Sequence, residues 1–287
     1  MPPATGYDSR RVYDVWQRVL CDEALYESML AGRHREAAAS RGMSAEDMEV
    51  LDELQREPGL RWNVENLRFR ATDHVLTTLR VHLPITLHLL TRGDQDWQRD
   101  VVFEYLSCHR WDELGRRMLA ECVRFGKHVR ERIARRRALP DLVEHALAME
   151  LGVVEVLRQA AAVPADGWNR RREPLPDAEL LQARPRLGPA VRVLDVPVDF
   201  TGWLNSGDPT RGQPGLQPMA LLVTVPSPEE TYRTQRLSEG ARLVLDRCKG
   251  EQTSAEIARA VHEELELEED GVLALLRKWI AAGTLTA

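Results

Sequence analysis

The sequence predicts an α+β fold that is mostly α. An N-terminal helical bundle is followed by a small three-stranded sheet and three closely spaced helices. Three observations carry this expectation. Up to Ala162, apolar residues recur at three- and four-residue spacing between capping and breaking residues. From Val163 to Pro189 that periodicity lapses among prolines and charges, as in a linker. Beyond it come three short strand-like runs and then three helices in close succession from Leu237 to Ala287. The expected domains are therefore 1–162, a linker over 163–189, and 190–287.

The first half resolves into six helices. Asp8 or Ser9 caps a helix running to about Leu30. Ser44 caps a second, with Glu46 and Asp47 in its first turn, where carboxylates oppose the positive helix end. Pro58-Gly59 closes that helix. Phe69, Thr72, Leu76, Leu79 and Leu83 share one face of a third helix that stops at Pro84. A fourth spans Asp96 to Ser107, a fifth Trp111 to Arg136, and a sixth Pro140 to Ala162 with Pro in its first turn. Amphipathic helices of this number are expected to bundle.

In the second half, Ala190 to Phe200, Met219 to Val225 and Thr231 to Leu237 read as strands, the first two separated by a Gly- and Pro-rich loop. Ala241, Leu243, Val244, Leu245 and Cys248 line the first terminal helix, which breaks at Gly250. Thr253 to Glu256 is a capping box opening the second, and Val272, Leu273, Leu275, Leu276 and Trp279 line the third, with Gly283 suited to the C′ position. The order is winged-helix-like. From Leu237 onward ten carboxylates face six Lys and Arg, the opposite of what phosphate binding needs. A peptide or protein ligand is expected instead.

Composition narrows the classes. At 287 residues and 43% hydrophobic content the chain suffices for two cores, and no stretch approaches the roughly eighteen apolar residues of a membrane span. The N-terminus lacks the apolar core of a secretion signal, so a cytoplasmic protein with reduced thiols is expected. Cys21, Cys108, Cys122 and Cys248 are widely spaced, with no zinc-type pairing. The eight histidines form no H-x-x-x-H or E-x-x-H pair, and no phosphate-cradling glycine loop or G-x-S-x-G elbow occurs. Cys108 lies beside His109, but consecutive helical side chains point about 100° apart, so a catalytic pair is not expected.

Strand, strand, then LSEGARLVLDRCKGEQTSAEIARAV and a helix ending in AAGTL is similar to the peptide chaperone of pyrroloquinoline quinone biosynthesis and to the precursor-recognition elements of ribosomally made, modified peptides. It covers about Met219 to Leu285. The helices RFRATDHVLTTLRVHLPITLHLL, VVFEYL and ALPDLVEHALAMELGVVEVL resemble the helical partner subunits of multinuclear non-haem iron oxidative enzymes of methanobactin and 3-thiaglutamate biosynthesis. The resemblance implies a non-catalytic adaptor. It would bind a precursor's leader segment as a strand beside Thr231–Leu237, against the last helix, and present it to the partner enzyme in a heterodimer. No cofactor is expected in this chain; iron is expected in the partner.

Transferred onto this chain, peptide contacts fall to Tyr232, Arg233, Thr234, Gln235 and Arg236, and to Leu276, Arg277 and Trp279. Tyr232, Thr234 and Arg236 would share one face, Arg233 and Gln235 the other, and either face can meet the peptide. Arg277 and Lys278 suit an acidic leader, but equally a solvated helix end whose cations complement the helix dipole; the spacing of Trp279 also suits a core position.

Residues 110 to 137 hold ten Lys and Arg against four carboxylates. Arg116, Arg117, Arg124, Lys127 and Arg130 are candidate docking residues for an acidic partner, while pairs such as Lys127 with Glu131 fit a solvated helix face. The alternative function is a winged-helix transcriptional regulator with a helical sensing or dimerisation domain. Its second terminal helix, SAEIARAVHEEL, lacks the side chains that read base edges.

Overall fold

A computed structural model describes residues 8–109, 118–133, 141–164, 168, 174–206, 215 and 217–287. The fold is α+β and mostly helical, with one small antiparallel sheet of three strands. The chain divides into two compact units: residues 1–81 with 90–131, and 82–89 with 132–287.

The first unit holds helices α1 (Ser9–Cys21), α2 (Glu23–Leu30), α3 (His34–Ala39), α4 (Ala45–Arg56), most of α5 (Leu60–His82), α7 (Gln95–Ser107) and α8 (Met118–His128), which widens into a π turn at Val129–Ile133. Asp8 caps α1, and Ser44 with Asp47 forms a capping box on α4. The helix expected to run to Leu30 instead breaks at Asp22. That residue is extended, and its carboxylate accepts from the Leu25 amide at 2.9 Å to start α2. Arg68 of α5 completes the break from the other side. Buried at 8% exposure, it donates to the carbonyls of Leu20 at 2.9 Å and Val19 at 3.0 Å, which end α1. Val15, Val19, Leu25, Met29, Leu51 and Val64 form the core around it. The expected fifth helix lies partly outside the described residues, which omit 110–117 and 134–140.

The second unit is layered. Strands β2 (Val191–Val196), β3 (Met219–Thr224) and β4 (Arg233–Leu237) form an antiparallel meander, with Leu194 opposite Leu221 and Leu222 opposite Gln235. Side chains alternate across it, and both faces are covered. Leu222 and Leu237 point into a core shared with α12 (Glu239–Arg247), α13 (Ser254–Leu265) and α14 (Glu269–Ala281). Leu221 and Val223 point the other way, onto Met149, Val153 and Val156 of α9 (Asp141–Ala162) and onto Ile85 of α6 (Pro84–Thr91). Gly152 allows this close approach, because a Cβ there would lie 2.8 Å from the Leu194 methyls. Phe200 and Trp203, in and beside α11 (Thr201–Ser206), complete that layer.

The units do not follow the expected division at 162. Helix α9 buries its apolar face on the sheet, which would otherwise expose Leu221 and Val223. Residues 174–189, expected to be linker, are built into the terminal module. Helix α10 (Asp177–Gln182) buries Leu180, and β1 (Arg186–Leu187) pairs antiparallel with β5 (Leu285–Thr286). The amides of Gly250 and Ser254 donate to the carbonyls of Pro185 and Ala183. Thr253 and Glu256 cap α13 reciprocally, and Gly250 and Gly283 hold φ of 80° and 73°, as their places at helix breaks require.

Candidate functional site

Strand β4 is an edge. It pairs with β3 on one side, and among the described residues no strand pairs with it on the other. Its row of outward amides and carbonyls is a template for an added strand. Beside it opens a cleft of about 1050 Å³, walled by Arg233, Thr234 and Gln235 of β4 and by Lys278, Trp279 and Ala282 near the end of α14. Val191, Leu222 and Thr224 line it from the other strands, and Trp168 from the segment before the module.

Register fixes which side chains meet this space. Gln235 lies opposite Leu222 and Arg233 opposite Thr224, so both point to the α12–α14 side. Tyr232 packs instead in the core with α9, where burial raises its hydroxyl above the usual range. Arg236, on the same side as Tyr232, donates to Asp199 at 2.9 Å. Of the residues the sequence suggested, Arg233, Thr234, Gln235 and Trp279 come together at the cleft. Tyr232 and Arg236 turn to the opposite face. Leu276 is fully buried in the helical core, and Arg277 pairs with Asp177 on α10. A rotation of about 100° per residue separates Arg277 from Lys278, so one reaches α10 and the other the cleft. Trp279 is 4% exposed and acts as wall and core together.

The charges in the cleft are unevenly used. Arg233 is paired with Glu230 of the β3–β4 hairpin. Lys278 has no ion-pair partner among the described residues. Glu229 of the same hairpin also lines the cleft, so its formal charges balance; the open strand edge suits an extended segment, and Lys278 is the cation available to a carboxylate on it. The contributions of Trp168, Glu230 and Val191 had no signal in the sequence, because they reach the cleft only through chain folding.

The basic cluster of the first unit is less available than its composition suggests. Arg124 donates to Glu121 at 2.9 Å, and Lys127 lies 3.7 Å from Glu131, the i,i+4 pair expected of a solvated face. Arg116 and Arg117 lie outside the described residues, and Arg130 has an interaction of its own. Glu121 is buried and also accepts from the Tyr105 hydroxyl; burial raises the carboxyl above its usual range. The rings of His109 and His128 stand 4.5 and 5.4 Å from that of Tyr105. Among the described residues, no group of three or more His, Cys, Asp or Glu side chains is placed to hold a metal ion. No described helix is long and apolar enough to cross a membrane. No protein-family model matches the chain, and no curated protein matches it significantly.

Proposed function

We propose that this chain is a non-catalytic adaptor. It binds the leader of a ribosomally made precursor peptide as a fourth strand along β4, and presents the rest of the peptide to a partner iron-dependent oxidative enzyme. The observation that carries the reading is the coincidence of an unpaired strand edge with an adjoining cleft of about 1050 Å³. Backbone pairing supplies affinity in such an arrangement, and the cleft reads alternate side chains. Lys278 favours a carboxylate at one of those positions. The adaptor's contribution is effective concentration and orientation at the partner's metal site, with the bond chemistry left to the partner. A DNA-reading role is less well supported, since the exposed end of α13 and the start of α14 carry Glu263, Glu264, Glu266, Glu268, Glu269 and Asp270.

The test uses labelled ten-residue model strands that alternate apolar residues with Asp or Glu, and counterparts carrying Lys instead, titrated against the full chain. The acidic strand should bind, and Lys278→Glu should weaken it by about threefold to tenfold, the range for one partly exposed charge. Arg277→Ala should leave affinity unchanged, because that side chain is held at α10. Equal binding of both strands, or a larger loss with Arg277→Ala than with Lys278→Glu, overturns the site.

A further inference from the structure

Outside the cleft, the chemistry-bearing group that stands out is a thiol pair in the first unit. Of the four cysteines, Cys122 and Cys248 are buried, whereas Cys21 and Cys108 are half-buried. These two, 87 positions apart in sequence, line one cavity of about 380 Å³. Cys21 ends α1, Cys108 caps α7, and the two helices pack on each other. The Cys21 sulfur approaches the carbonyl oxygen of His109, the residue after Cys108, at 3.9 Å. Arg18, one helical turn before Cys21, and Asp14 line the same cavity. Gln17 also lines it. Its amide nitrogen is buried and has no acceptor among the described residues.

We propose that Cys21 and Cys108 are an oxidisable pair, converted by a peroxide into an intramolecular disulfide that ties the end of α1 to the end of α7. One thiolate attacks a peroxide oxygen, the O–O bond breaks, and a sulfenic acid forms as hydroxide leaves and is protonated to water. The second thiol attacks that sulfenic sulfur; the S–S bond forms, the S–O bond breaks, and a second water leaves. Two thiols are oxidised and one hydrogen peroxide is reduced to two waters. Both cysteines sit at helix ends, where the backbone yields most easily toward the Cα separation of under about 7 Å that a disulfide needs. The modification is independent of peptide binding.

The experiment treats the full chain with hydrogen peroxide, alkylates remaining thiols, and maps peptides without reduction. Expected are a linked pair of peptides containing Cys21 and Cys108, an intact mass lower by two hydrogen atoms, and recovery of both thiols with a reductant. Cys21→Ser and Cys108→Ser should each leave a sulfenic acid on the remaining cysteine, trapped by dimedone. Oxidation of either residue to sulfinic acid without a link, a link to Cys122, Cys248 or a second chain, or no reaction at either thiol overturns the proposal.

Discussion

Glu150 lies on α9 with its carboxylate buried at 2% exposure, accepting from the amides of Ile85 at 2.8 Å and Thr86 at 2.9 Å. It caps α6 from sixty-five positions away. Burial pushes this carboxyl up from 4.5 to about 7, against the lowering effect of those hydrogen bonds. The folded state therefore holds the proton to higher pH than the unfolded chain does. The sign follows: stability is full below about pH 4.5, falls as pH rises toward 7, and stays lower above it. At 1.36 kcal/mol for each tenfold change, that rise corresponds to about 3 kcal/mol. Glu150→Gln removes the titration. Urea unfolding of both proteins at pH 5 and pH 8 should give a wild-type loss between the two about 2–3 kcal/mol larger than the variant's, since part of the full effect already falls below pH 5. His82, pushed down by burial, contributes the opposite slope in both proteins, so their difference isolates Glu150. Parallel stability curves for wild type and variant would refute the reasoning.

Arg68→Met should strand the carbonyls of Val19 and Leu20 and remove the guanidinium that lies 4.5 Å from the centre of the Tyr26 ring. A loss of about 2–4 kcal/mol is expected, read by urea unfolding; Arg68→Lys should recover only part, because an ammonium does not reproduce the planar fork. Gly188→Ala places a Cβ 2.9 Å from the Gly283 carbonyl oxygen, a backbone atom that cannot swing away. It should cost about 1–3 kcal/mol and raise hydrogen exchange at Gly188, whose amide donates to Thr284 at 3.0 Å.

What the sequence determined is local. Capping residues and breakers act within a few positions of themselves, so Asp8, Ser44, Thr253 with Glu256, Gly250 and Gly283 place helix ends where the structure has them. Alternation likewise separates Tyr232 and Arg236 from Arg233 and Gln235 along β4. Which neighbour each face meets depends on contacts distant in sequence. Periodicity marks α9 as amphipathic but is silent on whether its apolar side meets helices or a sheet, and the sheet's second face claims it. Nothing near Asp22 in sequence announces that Arg68 will take the carbonyls before it, nor that Glu150 will cap α6. The same limit governs the cleft: Arg277 and Lys278 are equivalent as letters, and a rotation of about 100° on a helix already anchored by Leu276 and Trp279 sends one to Asp177 and the other to the edge of β4.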